Sequence, residues 1–440
     1  MKVKLCFLIL LAMVTFPSSV TGQRSWSLSD CVSYAIEHNV DVKMRENDVD
    51  LQRNSVASVR SQFLPAVTAD VSQQWTVGRS VSPIDNTYQT TSNSSTPIGV
   101  ALNQPILAAF GVARDLAASK YGLSASVAQL QLAKMETELA VTAAYLQLLY
   151  CEDVVDVNRY QVDRDSLLKQ RIEAMRSIGK ATVGDVCEIQ AQLSNDMTEL
   201  IRSKSDLLVS KLSLLQVMGM DYDVDFRYER NVGEMADAMG DDMPSCVFED
   251  FVSRHPSILH GTFLLSAYDE QLKRLKIGKL PKLDMVLAYY NSLYYVKGFD
   301  NRPLGEQFVN NGSFYLGFNL SVPLFDGLAN RNSRKKKEIE IKGMQLQLEK
   351  TSKEVGAVVQ RLMLEATAAH ELYRYAQMAQ KDIEVLDAKM LVRYENGKAT
   401  VFELNQTRIN YLKAVCNTSQ AKSQYLLKLK QLEIFKKYCE

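Results

Sequence analysis

Helix-breaking residues are scarce, with 10 prolines and 20 glycines among 440 residues. That scarcity excludes collagen-like and loop-rich architectures and suits long helices. Cysteine occurs seven times and never in Cys-x-x-Cys spacing, which argues against zinc and redox sites. Cys6 falls in the chain's first apolar run, while Cys31, Cys151, Cys187, Cys246, Cys416 and Cys439 read as core or surface positions. Neither sign of charge is in excess, since 51 Lys and Arg balance 51 Asp and Glu. Nothing in that balance calls for nucleic acid. His38, His255, His260 and His370 lack ligand spacing, so no metal site is assigned. There is no phosphate loop and no nucleophile motif, so neither catalysis nor a cofactor is expected. Beyond the start of the chain, no apolar stretch reaches the ~20 residues of a spanning helix. If this chain crosses a membrane, it does so by β-strands.

The first residues set a destination. Lys2 and Lys4 precede an apolar run from Leu5 to Phe16, and Val20-Thr21-Gly22 offers small residues for cleavage. This pattern is a secretory signal peptide over 1–22.

The remainder is duplicated. Gly179-Lys180-Ala181-Thr182-Val183 recurs as Gly397-Lys398-Ala399-Thr400-Val401, at an offset of 218. Pro105 meets Pro323 at the same offset, and Leu64-Pro65 matches Leu280-Pro281 at 216. Repeats of this kind define the architecture before any local reading does. Copy one is assigned to 27–219 and copy two to 244–437, with an acidic exposed linker over 220–243.

Each copy opens with a helical pattern, Leu28 to about Phe63 and Phe248 to Ile277, stopped by Pro65 and Pro281. The period then changes to two. Val67, Ala69 and Val71 alternate with Thr68, Asp70 and Ser72, and Ile98, Val100 and Leu102 form a second alternating set. In copy two, Leu283, Met285, Leu287 and Tyr289 alternate, followed by Phe314, Leu316, Phe318, Leu320 and Val322. The expected strands are about 66–76, 97–104, 282–295 and 313–323. Strands apolar on one face, with aromatics near their ends, suit an outer-membrane barrel, although a small soluble sheet fits the same alternation. Four strands cannot close a barrel when the smallest use about eight. An open edge in lipid costs several kcal/mol per unpaired group. The chain must then share its barrel with other copies.

Long helical hairpins complete each copy, over 111–217 and 328–437. Leu123, Leu130, Thr137, Ala144, Cys151 and Ile172 keep a seven-residue register, as do Ile341, Leu348, Val355, Leu362, Ala369, Ala376, Ile383 and Met390. The returning helices carry Val186, Leu193, Leu200, Leu207 and Leu214, then Leu404, Tyr411, Thr418, Tyr425 and Leu432. Sustained heptads imply supercoiled packing. A rise of 1.5 Å per residue makes the first helix a rod of roughly 100 Å, too long for a ~30 Å bilayer core.

The order helix, Leu-Pro, strand, loop, strand, Gln-Pro-Ile, long helix, Gly-x-x-Thr turn and return helix, given twice, resembles the TolC outer-membrane efflux family. The likeness covers nearly the whole chain after the signal. It implies a mainly α protein with membrane β, a homotrimer whose 12-stranded barrel continues into a periplasmic helical barrel. It also implies a passive export duct partnered by outer-membrane lipid, a periplasmic adaptor protein and an inner-membrane pump. A periplasmic coiled-coil adaptor or structural rod is the competing reading, and a secreted helical enzyme a weaker third.

Candidate functional residues lie at the hairpin tips. Gly179 and Gly397 suit left-handed helix ends. Thr182 with Asp185, and Thr400 with Glu403, have capping-box spacing. Asp185, Glu188 and Glu403 could instead line a ring of carboxylates at a narrow mouth that favours cations. By resemblance, the family's acidic tip positions fall on Glu403 and Gln406, the latter uncharged here. Tyr394 matches a tyrosine that latches the family's closed entrance. The family's arginine two residues after the glycine is Ala399 here, leaving Lys398 or Arg393 as substitutes. The basic run Arg331, Arg334, Lys335, Lys336 and Lys337 reads as a solvated or membrane-proximal face.

Overall fold

The computed structural model describes residues 25–81, 86–107, 109–221, 226–230 and 252–439. The expected signal peptide, 1–22, lies outside these residues, as does most of the expected linker. In chain order the elements are α1 (Leu28–His38), α2 (Val40–Ser61), β1 (Ala66–Val71), β2 (Gln74–Val81), β3 (Tyr88–Pro105), α3 (Ala109–Ser177) and α4 (Val183–Met218). There follow α5 (Pro256–Ile277), β4 (Lys282–Val296), α6 (Leu304–Asn310), β5 (Ser313–Ser321), α7 (Ala329–Glu395) and α8 (Val401–Cys439).

Two compact units divide the chain. The first comprises 1–43, 134–246 and 359–437, and the second 44–133, 247–358 and 438–440.

The first unit is helical. One core gathers Cys31 and Ala35 of α1, Val141, Tyr145 and Leu148 of α3, Leu214, Leu215 and Met218 of α4, and Phe226. Side chains of this size each contribute about 1.5–3 kcal/mol when fully buried. Burial in this apolar setting pushes the Cys31 thiol up to about 12, so it stays an inert thiol.

Two sequence expectations change in this unit. The helix read from Leu28 to Phe63 is broken at Asn39, whose Oδ1 accepts from the Asp41 amide at 2.8 Å. Its Nδ2 donates to the Val217 carbonyl at 2.9 Å. A side chain that caps the next helix and tethers another competes with the helical ladder, a local contest that apolar periodicity does not register. The acidic stretch also departs from an exposed linker where it is described. Tyr228 forms a parallel bridge with Trp26, Phe226 is buried, and the Tyr145 hydroxyl donates to the Glu229 carbonyl at 2.6 Å. Phe226 and Tyr228 supply the apolar area that holds this short segment down.

The second unit contains the sheet. Its order is β1-β3-β4-β5, with β2 paired to the far part of β3. All pairings are antiparallel. The strand expected at 66–76 is split at Ser72-Gln73, and the one expected at 97–104 begins at Tyr88. Residues 74–81 pair with 88–95, in a stretch that looked like a polar loop. In 88–95 Ser and Thr on both faces hide the period of two, yet Thr favours extended backbone. Gln73 spans the split, donating to Ser94 at 2.9 Å and accepting from Thr96. The fourth expected strand, 313–323, stops at Ser321, two residues before Pro323, which cannot donate to a ladder.

Helix α6 has no counterpart in the sequence reading. β5 reaches only Ser313, opposite Tyr290, and beyond that point side chains take over its pairing. Gln307 accepts from the Tyr294 amide at 2.8 Å and donates to the Tyr294 carbonyl at 3.1 Å. Asn301 does the same for Val296, at 2.8 and 2.9 Å. Asn311 donates to the Ser292 carbonyl at 2.6 Å. The far edge of β4 is thereby satisfied without a strand.

Candidate functional site: the apolar sheet and the hairpin turns

The sheet's registers sort its side chains by face. Val67, Leu102, Leu287 and Leu316 are cross-strand neighbours, as are Ala69, Val100, Tyr289 and Phe314. The opposite face carries Thr68, Ala101, Ala288 and Tyr315, then Asp70, Gly99, Tyr290 and Ser313. Side chains of one strand alternate between faces, so the registers collect the apolar alternates of all four segments on one side. Among the described residues, no second layer covers that side over β1 and β5. Every residue of β1 is exposed, and Phe314 and Phe318 of β5 are 84% and 62% exposed. A sheet with an aliphatic and aromatic face of this size requires another apolar medium. The Tyr289 and Phe314 rings lie 5.0 Å apart on that face, as cross-strand aromatic pairs do.

The hairpin turns belong to the first unit. Gly179 has φ of 73° and Gly397 of 68°, the left-handed region glycine adopts without strain. The Lys180 amide donates to Met175 at 2.9 Å and the Gly179 amide to Arg176 at 3.0 Å. In the second hairpin Lys398 donates to Arg393 at 2.9 Å and Gly397 to Tyr394 at 3.0 Å. These paired bonds satisfy the last free carbonyls of each helix. Three residues on, Asp185 accepts from the Thr182 amide at 2.8 Å while its own amide donates to the Thr182 hydroxyl at 3.2 Å. Glu403 and Thr400 repeat the exchange at 2.8 and 3.2 Å. Amide and hydroxyl bonds from Thr182 hold the Asp185 carboxyl below the usual carboxylate range, and Thr400 does the same for Glu403.

The other tip candidates are placed differently. Glu188 and Gln406 are exposed. Tyr394 of α7 packs on a cluster of Leu168 and Ile172 of α3, Ile189 of α4, and Val401 and Leu404 of α8. Burial raises its phenol; Arg171 opposes that rise and Asp185 adds to it. Arg393 donates to the Lys398 carbonyl at 3.4 Å, which engages it in closing its own turn. Arg171 of α3 reaches Glu395 of α7 at 3.0 Å. Asp185 and Glu403 are each engaged in a cap, and Tyr394 lies within electrostatic reach of Asp185.

A polar layer between these helices escaped the sequence reading. Asp165 is fully buried and Arg408 is 3% exposed, with 3.4 Å between them. Its signal was visible, because Asp165 occupies the heptad position between Cys151 and Ile172.

No described helix is long and apolar enough to cross a membrane. This build defines an integral membrane protein of the β class with long helical hairpins. The chain belongs to the outer membrane efflux protein family, whose model matches residues 31–220 and 248–434. It is 22% identical over 330 residues to the outer membrane efflux protein BepC of Brucella suis, covering 74% of this chain and 67% of that one. Solved structures of CusC, which describe transmembrane channel formation, match with TM-score 0.79, 12% identity and 95% of each chain covered. The outer membrane channel CmeC of Campylobacter jejuni matches with TM-score 0.78 and 14% identity, covering 93% of this chain and 85% of that one. The protein is an outer-membrane component with a large periplasmic helical portion.

Proposed function

We propose that three copies of this chain form a passive export duct through the outer membrane. The observation that carries this reading is the sheet: one apolar face, exposed, and two edge strands, β1 and β5, that pair on one side only among the described residues. In lipid such edges need partners. Four strand positions per chain close a 12-stranded barrel when three chains join, with the tyrosine and small-residue face toward the lumen. The helical hairpins extend the conduit into the periplasm, where their turns meet an adaptor protein and, through it, an inner-membrane pump. The chain does no catalysis, and energy for export comes from the pump. A structural rod would leave the sheet without a role.

The experiment is native mass measurement of the detergent-extracted protein, followed by planar-bilayer recording. Three chains per particle with discrete conductance steps support the duct. A stable water-soluble monomer without conductance ends the proposal.

A further inference from the structure

A layer shared by the two hairpins holds three carboxylates, Asp165, Asp196 and Asp387, and two guanidinium groups, Arg164 and Arg408. Asp165 on α3 accepts from Gln161 at 3.0 Å and from Arg408 of α8 at 3.4 Å. Arg164 of α3 lies 3.6 Å from Asp387 of α7. Each of those acids has a cation. Asp196 of α4 has none: Gln192 donates to its Oδ1 at 2.9 Å, while its Oδ2 is buried and receives nothing. Asp165 and the Gln161 amide both bear on the Asp196 side chain, the first favouring its protonated form and the second its charged form. Neighbouring carboxyl groups in a buried layer favour one shared proton over two negative charges. Asp165 is answered by Arg408, so the proton belongs on Asp196.

The duplication shows that packing does not require acids here. At the offset of 218, Asp165 and Asp196 become Ile383 and Ala414. The first hairpin alone carries the acid pair.

We propose that Asp196 and Asp165 form a proton-operated latch, closed while Asp196 is protonated and loosened when the proton leaves. The proposal rests on the hairpin itself and stands or falls apart from the duct reading. Deprotonation leaves three carboxylates facing two guanidinium groups in a buried layer. The groups around the pair are Arg164 on α3, Asp387 on α7 and Arg408 on α8; beyond them Tyr411 of α8 faces Glu384 and Asp387 of α7 and Arg164 of α3. No further cation is positioned to take up the added charge among these groups. The latch lies about 20 Å along α4 from the turn, at 1.5 Å per residue.

Burial first, and Asp165 second, push the Asp196 carboxyl up to about 7. In an opened hairpin the group returns to its ordinary value near 3.8. The closed form is therefore fully favoured below about pH 4, loses its advantage by about tenfold per pH unit toward pH 7, and loses no more above it.

The test is amide hydrogen exchange of α4 around Asp196 in the full-length oligomer, from pH 5 to 8.5, corrected for intrinsic exchange. The opening equilibrium is expected to rise by about fiftyfold from pH 5 to 7 and to level off near a hundredfold above pH 8. Asp196→Asn keeps a donor for Asp165, and Asp196→Ala copies the sister hairpin; both are expected to be flat. A flat wild type, or variants that rise in parallel with it, overturns the latch.

Discussion

Tyr290 lies across Gly99, so close that a Cβ on residue 99 would sit 2.9 Å from the ring's Cδ1. The two residues face each other in the β3–β4 register, on the face opposite the apolar one. The glycine gives the ring a seat, and the ring covers backbone that a glycine leaves bare.

Gly99→Val should push that ring off the sheet. Overpacking of this kind costs about 1–3 kcal/mol. The expected outcome is a smaller fraction of heat-modifiable oligomer on gels, with Gly99→Ala intermediate. Equal fractions for all three proteins would show that the seat has no part in assembly.

Removing a cap should fray a hairpin. Thr182→Ala and Thr400→Ala each lose about 1 kcal/mol of local stability, read as faster amide exchange in the first turns of α4 and α8. Asp185 and Glu403 have lowered carboxyl pKa values, so their caps act fully above the ordinary carboxylate range and fade as pH falls below it. Acid-induced fraying of the wild-type turns is expected below about pH 4, and the alanine variants, which keep the amides that Asp185 and Glu403 accept from, should still fray in acid but by a smaller step.

Neutralising the tip acids tests their second reading. Asp185→Asn, Glu188→Gln and Glu403→Gln together should lower cation preference, measured as the reversal potential across a salt gradient in planar bilayers. Asparagine and glutamine still accept hydrogen bonds, so the turns survive. An unchanged potential would leave these acids with capping alone.

Arg408→Met should strand a charge. Asp165 is fully buried, and removing its cation is expected to cost about 3–5 kcal/mol. The unfolding temperature of the extracted protein should fall clearly. Arg408→Lys restores charge without the planar fork and should recover part of the loss. A methionine variant as stable as wild type would mean that Asp165 takes up a proton at no cost.

The sheet was legible where its two faces differ in polarity. Leu283 to Tyr289 and Phe314 to Leu320 alternate cleanly, and the registers put them on one face. Residues 74–81 and 88–95 pair just as regularly, but 88–95 is polar on both sides, and Arg79 interrupts the short alternation of Trp75, Val77 and Val81. Asn39 hid a helix break because its effect is a side-chain bond to a residue 178 positions away. Asp165 holds a heptad position but is not apolar, so an apolar register passes over it. Its meaning depends on Arg408 and Asp196, which only packing brings near.

Helix α6 bears on how the chain reaches its destination. A subunit on its way to the outer membrane carries raw strand edges in water, and each is a template for misassociation. Asn301, Gln307 and Asn311 close the outer end of β4 with their own amides. Among the described residues, the stretch of β4 beyond Ser313 therefore presents side-chain-capped backbone and not an open ladder to any chain that passes by.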